Sequence, residues 1–291
     1  MSRQAFYEHR WHQDDRNLGA ELILELVDKE RGDGRFGTRT LMTMLGPAFA
    51  EHHIQIGRDR LFDLLAEHDM LIRPRRHYVH TTDSNHHFRK WSNLIKNMEI
   101  DRPEQVWVSD ITYIRTKNGF LYLSIITDAY SKKVMGFNLS HRLEARGAVA
   151  ALRMALSQRA YPEQPLIHHS DRGIQYCCAN YVEVLQNEGI AISMAEKGNP
   201  YENAIAERIN RTFKEQLGMG ETFQNYQQAM AKLIKAVEVY NHRRPHSSCD
   251  NMTPEQAHAS SGVLKKHWKK RPTKAPMAEA LPPSTPPGRF E

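Results

Sequence analysis

Apolar positions recur at helical spacing through the first hundred residues, in short segments at 2–11, 17–29, 38–46 and 57–69. Leu41 and Leu45 share one helix face, as do Leu61, Leu64 and Leu65. Then comes Leu71-Ile72-Arg73-Pro74-Arg75-Arg76, in which Pro74 stops any helix and the arginines point to phosphate contact. This pattern predicts a small helix-turn-helix DNA-binding unit, with Arg58, Arg60, Arg73, Arg75 and Arg76 as its phosphate contacts. The plainer alternative is a three-helix bundle with a solvated basic face.

Residues 105–140 are β-rich and predict three strands, Gln105–Thr116, Phe120–Thr127 and Lys132–Ser140, with Lys117-Asn118-Gly119 as a tight hairpin turn between the first two. An amphipathic helix is predicted at 144–159, a short strand at Leu166–His169, a helix at Tyr176–Asn187 and a strand at Ile190–Met194. Asn199 and Pro200 suit the N-cap and first position of a helix running to Leu217, with Ile205, Ile209, Phe213 and Leu217 as its buried stripe. Helices at 225–241 and 254–260 follow, the second opened by a capping box in Thr253-Pro254-Glu255-Gln256. Antiparallel hairpins followed by alternating helix and strand predict a mixed α/β sheet with helices on its faces.

Composition adds a polyanionic partner. The chain has 291 residues, 40 % of them apolar, enough for a packed core. Its 40 Lys and Arg exceed its 34 Asp and Glu, for a net charge of +6 and a pI near 9.2, and the excess is clustered. After residue 262 the sequence passes into Lys265, Lys266, Lys269, Lys270, Arg271 and Lys274 and then a proline-rich stretch, which predicts a disordered basic tail. No run approaches the roughly 18 apolar residues of a membrane span, and no signal peptide opens the chain, so a cytoplasmic, nucleoid-associated protein is expected. Cys177, Cys178 and Cys249 have no framework spacing and read as reduced thiols. His77, His80, His86 and His87 lack the nearby Cys pair that usually completes a structural zinc site.

The candidate chemistry lies in three acids. Asp110 sits in a strand-like run on the same face as Val106 and Val108, where a lone carboxylate is costly unless a cation or strong donors satisfy it. Asp171 lies just past the buried strand ending at His169, with Gly173 expected to permit the turn into the next helix. Glu207 lies on the polar side of its helix, and 35 residues separate it from Asp171. Such carboxylates can hold hard divalent ions that clamp a phosphodiester, but spacing alone does not bring them together. Among the neighbouring acids, Asp128 is expected to order the turn into Ser131 and Lys132, and Glu202 to favour its helix N-terminus.

Four motifs occur in order: Trp107-Val108-Ser109-Asp110-Ile111-Thr112-Tyr113, His169-Ser170-Asp171-Arg172-Gly173-Ile174-Gln175-Tyr176, Lys197-Gly198-Asn199-Pro200-Tyr201-Glu202-Asn203-Ala204 through Glu207, and Tyr240-Asn241-His242-Arg243-Arg244-Pro245-His246-Ser247. On these the chain resembles the orfB-type transposases of the insertion sequence three family, a branch of the retroviral-integrase superfamily. The resemblance covers about residues 35–260. It implies a ribonuclease-H-like core, with Asp110, Asp171 and Glu207 as the catalytic and metal-binding D, D and E. It further implies Mg²⁺ or Mn²⁺, two per site, and a role for Lys214 in holding DNA near the metals.

Three regions are therefore expected: a helical region with a helix-turn-helix unit at 1–100, a ribonuclease-H-like catalytic core with C-terminal helices at 101–262, and a basic tail at 263–291. The expected activity is cleavage of transposon-end DNA to free a 3′-hydroxyl, and transfer of that strand to a target. The partners are double-stranded DNA at the element ends and the target, a second copy of the chain, and a possible upstream-frame product or fusion. Further DNA contacts are expected at Arg211, Lys214, Arg243, Arg244, Lys265, Lys266, Lys269 and Lys270. The main rival is a catalytically silent DNA-binding regulator of the same fold, and a second is a structure-directed nuclease that cleaves without joining. No Arg, His-x-x-Arg and Tyr arrangement favours a tyrosine recombinase.

Overall fold

A computed structural model describes residues 19–72, 88–196 and 203–267. The predicted segment at 2–11, together with Arg73, Arg75, Arg76, the histidines from His77 to His87, Asn199, Pro200, Glu202, Lys269 and Lys270, falls outside them.

Four helices come first: α1 over 19–31, α2 Thr38–Met44, α3 Gly46–Glu51 and α4 Arg58–Glu67. The predicted 38–46 helix ends earlier, because Pro47 near the start of α3 has no N–H to continue the α2 ladder. Then follow β1 Val106–Thr116, β2 Gly119–Asp128, β3 Val134–Ser140, α5 Ala145–Ser157, β4 Ile167–Ser170, α6 Ile174–Cys177, α7 Ala179–Asn187 and β5 Ala191–Met194. The chain continues through α8 Ala204–Glu215, β6 Thr222–Phe223, α9 Tyr226–His242 and α10 Pro254–His258.

The sheet order is β3-β2-β1-β4-β5, with the two-residue β6 added beside β1. β1, β2 and β3 form an antiparallel meander, and β4 and β5 run parallel to β1. This is the expected ribonuclease-H-like mixed sheet flanked by helices. The predicted hairpin closes at Thr116 opposite Gly119, whose φ of 125° is readily available to glycine. On one side of the sheet Trp107, Ile126 and Met135 pack with Leu152 of α5 and Tyr181 and Leu185 of α7. Gly136 of β3 lets α5 lie close, since a Cβ there would clash with the Ala151 carbonyl and come 2.7 Å from the Ala155 nitrogen.

On the other side Leu121, Leu123 and Ile125 pack with Ile209 and Phe213 of α8, Leu233 and Tyr240 of α9, Val27, Leu41, Leu61 and Leu65 of the N-terminal helices, and Phe36 of the α1–α2 connection. The boundary expected near residue 100 is therefore not a break in the core. Arg35 N donates to the Gln216 carbonyl at 2.5 Å, tying the turn after α1 to the end of α8.

Several expectations need correction. The predicted 176–187 helix is broken at Cys178, whose φ of −70° and ψ of 150° are extended. The helix bearing Glu207 starts at Ala204, with Asn203 at its N-cap, and ends at Glu215 rather than Leu217. The tail does not leave the body at residue 263: Asp250 N donates to the Lys265 carbonyl at 3.0 Å and His267 N to the Ser247 carbonyl at 2.7 Å. The capping box of α10 is present as expected. No helix among the described residues is long and apolar enough to cross a membrane.

Candidate active site

Register brings the first two acids together. β1 and β4 pair in parallel as Val106 with Ile167, Trp107 with His168 and Val108 with His169. Continued two residues further, the same offset sets Asp171 level with Asp110, just where the chain leaves β4. The third acid arrives on α8, which packs on β1 and is fastened at two points. Asn203 Nδ2 donates to the Ser109 carbonyl at 3.1 Å, and Asn210 Nδ2 donates to Asp110 Oδ2 at 2.8 Å. Glu207 stands one helical turn before Asn210, on the exposed side of the helix.

The electrostatics record this convergence. Asp110 keeps partial solvent exposure, yet burial of its carboxyl pushes its pKa up to about 7, with the charges of Asp171 and Glu207 adding to the rise. The hydrogen bonds from Asn210 and from Ile111 N, the latter at 2.9 Å, oppose it. Asp171 Oδ1 accepts from Gly173 N at 2.9 Å. Gly173 itself has an ordinary extended conformation, with φ of −63° and ψ of 143°, so the turn does not require glycine. Instead a Cβ at this position would stand 2.9 Å from Asp171 Oδ1, and glycine leaves that carboxylate its room.

Behind β1, Ser109 Oγ lies 2.6 Å and Tyr181 Oη 2.8 Å from Nε2 of the buried His168, whose pKa burial pushes down to about 3. The neutral imidazole braces β1, β4 and α7 behind the acids. Sequence reasoning named neither this brace nor Asn210, although the step of three from Glu207 to Asn210 was there to be read. Asp128 orders its turn as expected, accepting from Ser131 N and Oγ at 2.7 Å each.

The residues expected to contact DNA divide. Lys214 Nζ lies 4.1 Å from the centroid of the Tyr113 ring; burial lowers its pKa, while the charge of Asp110 raises it. Arg211 is exposed, and among the described residues it forms no ion pair with Glu207. Arg58 and Arg60 are exposed and pair locally, with Asp59 at 2.7 Å and Glu67 at 3.5 Å. Lys265 and Lys266 are exposed. Arg243 instead joins Glu30 at 2.9 Å and also Asp33, so it fastens α1 to α9. Arg244 turns inward, its Nε donating to Gln216 Oε1 at 2.9 Å.

An all-carboxylate donor set suits Mg²⁺ or Mn²⁺ rather than a soft metal, and a divalent cation would offset the negative charge that raises the Asp110 pKa. The fit is one of chemistry and charge: among the described residues no three His, Cys, Asp or Glu side chains stand close enough to ligate one ion as placed.

Residues 100–200 and 188–254 each match an Integrase core domain family. Over 260 residues, 87 % of this chain and 93 % of the relative, the sequence is 36 % identical to the insertion element IS600 uncharacterized 31 kDa protein of Shigella sonnei. It is also 39 % identical over 155 residues to transposase InsF for insertion sequence IS3A of Escherichia coli strain K12, a stretch of 53 % of this chain and about half (54 %) of that protein. Among solved structures, the HTLV-2 integrase catalytic core domain in complex with magnesium is similar with a TM-score of 0.44 and 19 % identity, covering 54 % of this chain and 97 % of that one. The chain belongs to the integrase-core family, in its branch of insertion sequence IS3 transposases.

Proposed function

We propose that this chain is a DNA transposase that cuts a phosphodiester at an element end, frees a 3′-hydroxyl and joins that strand to a second phosphodiester. The observation that carries the reading is the meeting of Asp110 on β1, Asp171 after β4 and Glu207 on α8, close enough for the last two to raise the pKa of the first. Asp110, Asp171 and Glu207 would hold Mg²⁺ or Mn²⁺, as a pair of ions, which when bound supply Lewis acidity at the scissile phosphate and a more acidic attacking hydroxyl. Asn210 fixes Asp110 Oδ2, and Gly173 N fixes Asp171 Oδ1, so two of the carboxylates are oriented before substrate arrives. Lys214 sets a cation within electrostatic reach of Asp110, where it can take a phosphate oxygen.

The partners in this reading are duplex DNA at the element ends and at the target, a second copy of the chain, since two ends must be joined, and an upstream-frame product. The test is nicking and joining of a duplex carrying the element's terminal sequence, with Mg²⁺ or Mn²⁺. Asp110→Asn, Asp171→Asn and Glu207→Gln should each reduce both steps by orders of magnitude while DNA binding persists. Wild-type rates in the triple variant, or full activity after exhaustive chelation, would overturn the assignment.

A further inference from the structure

Among the described residues, one edge of β1 lacks a strand partner for much of its length: β4 pairs with it only as far as Val108, and β6 meets it again at Arg115. Asp110 lies near the start of this gap, and Tyr113 lies three residues on, about 10 Å along the strand. Strand alternation sends their side chains to opposite faces of the sheet, and Lys214 spans the difference. It comes from α8, the helix that holds Asp110 through Asn210, yet its Nζ lies 4.1 Å from the centroid of the Tyr113 ring.

The sheet face that carries Tyr113 is packed at one end and bare at the other. α5 covers it as far as Ser140: a Cβ on Gly147 would come 2.6 Å from Ser140 Oγ, and Ser140 is the register partner of Tyr122. Past that line, toward the tip of the β1–β2 hairpin, register sets Tyr113 beside Tyr122 and Arg115 beside Phe120. The Phe120 ring meets Tyr113 edge-on, with centroids 5.4 Å apart and planes at 88°. Phe120 is nevertheless 53 % exposed. Arg115 and Lys117 at the same tip are exposed too, and no carboxylate occurs between Asp110 and Asp128.

A cross-strand aromatic pair stabilises a hairpin with or without a ligand, but that role calls for neither an open ring nor the cations around it. A ring held by a second ring, open to solvent and set among cations with no counter-charge on the hairpin, suits a nucleotide. The base offers a π-face whatever its identity, and its phosphate complements the cations. Within a duplex the faces of a base are taken by its neighbours, so the ring suits an unpaired base.

We propose that Phe120, braced by Tyr113, stacks on an unpaired base of the DNA strand that passes the acids, with Arg115 and Lys117 on its phosphates. The proposal rests on the transposase reading for the presence of that strand, and adds to it a single-strand grip on the β1–β2 hairpin.

The experiment measures binding of the full chain, by fluorescence anisotropy in EDTA so that no cleavage intervenes, to a blunt duplex and to the same duplex with a short unpaired tail. The wild type should prefer the tailed probe. Phe120→Leu should bind that probe about tenfold more weakly, the scale of one base lost from an aromatic ring, and the blunt probe as before. Phe120→Tyr, which keeps a ring, should retain the preference. Arg115→Gln should make the slope of log affinity against log salt shallower on the tailed probe, by about 0.7 for a single-strand phosphate no longer neutralised. Ile234→Ser removes a comparably exposed apolar side chain from α9 and should change neither affinity. No tail preference in the wild type, an undiminished preference in Phe120→Leu, or an equal loss on both probes would overturn the platform and leave the transposase reading standing. A dimer that dissociates in Phe120→Leu, seen by sedimentation, would overturn it as well, since the ring would then cover a second copy. A wild-type chain that binds neither probe would instead remove the reading on which the ligand rests.

Discussion

Asn210 on α8 donates to Asp110 on β1 at 2.8 Å, and this bond fastens the Glu207 helix to the first acid itself. Asn210 is only 5 % exposed, and its Oδ1 has no hydrogen-bond partner among the described residues. Its amide is thus committed to the carboxylate. Because that bond favours the charged form of Asp110, Asn210→Ala should raise the Asp110 pKa further. The pH profile of Mg²⁺-dependent nicking should move to higher pH, with cleavage at neutral pH down about tenfold, the scale of one charge-assisted hydrogen bond. A variant with the wild-type profile would show that Asn210 serves packing alone.

Asp110 also makes stability depend on pH and metal. Its folded pKa of about 7 lies above the ordinary carboxylate value of 3.8, so the folded state binds this proton more tightly than the unfolded chain. The sign follows: no penalty exists below the lower value, it grows as pH rises between the two, and it is complete above about 7. Asp110→Asn should therefore be more stable than wild type at pH 8, by on the order of 2–4 kcal/mol, and by much less at pH 5. Mg²⁺ should stabilise the wild type at pH 8 and narrow the gap. Urea melts of both proteins at the two pH values check this; a gap that does not depend on pH would count against the buried acid.

Much of this arrangement was legible because it is local. The β-branched and aromatic run from Val106, the Lys117-Asn118-Gly119 turn and the Thr253 capping box each carry their signal within a few residues. What was missed depends on partners distant in sequence. The two residues of β6 carry no pattern and form a strand only because the end of β1 is there to pair with. The break at Cys178 has no proline or glycine to announce it. Periodicity could not show that Arg243 would meet Glu30 and Asp33 while Arg244 turned to Gln216, because adjacent residues differ there only in what the folded chain places opposite them. The acids were recognisable by their surrounding motifs, but their proximity comes from the β1–β4 register and the α8 fastening, which no local window contains.

Two glycines separate site geometry from stability. A methyl at Gly173 meets the Asp171 carboxylate at 2.9 Å, a flexible side chain that can move aside. Gly173→Ala should thus reduce nicking at least tenfold by displacing a proposed ligand, with little change in melting temperature. A methyl at Gly136 meets the backbone of α5, which cannot yield cheaply. Gly136→Ala should cost about 1–3 kcal/mol of stability in denaturant melts. The reverse pattern, with Gly173→Ala unstable yet fully active per folded molecule, would contradict the role given to Asp171.

The last prediction concerns a buried charge cluster apart from the acids. Glu104 and Asp128 are both fully buried. Glu104 accepts from Ala160 N at 2.7 Å and from Tyr161 N and Arg159 Nε at 3.2 Å each. His258 of α10 lies between the two carboxylates, its Nε2 3.4 Å from Glu104 and its Nδ1 3.8 Å from Asp128. Burial alone would lower the His258 pKa, but the neighbouring Asp128 and Glu104 carboxylates outweigh burial and raise it from 6.5 to about 9. A histidine with a raised folded pKa contributes stability that is fully present below 6.5 and is lost as pH rises through about 9. The wild type should accordingly lose on the order of 2–3 kcal/mol between pH 6.5 and 9.5, a loss that His258→Gln should largely abolish by being weaker at the start. Equilibrium urea unfolding across that range decides it: parallel pH profiles for the two proteins would mean that His258 is neutral in the folded chain and that Arg159 and the backbone amides alone hold Glu104.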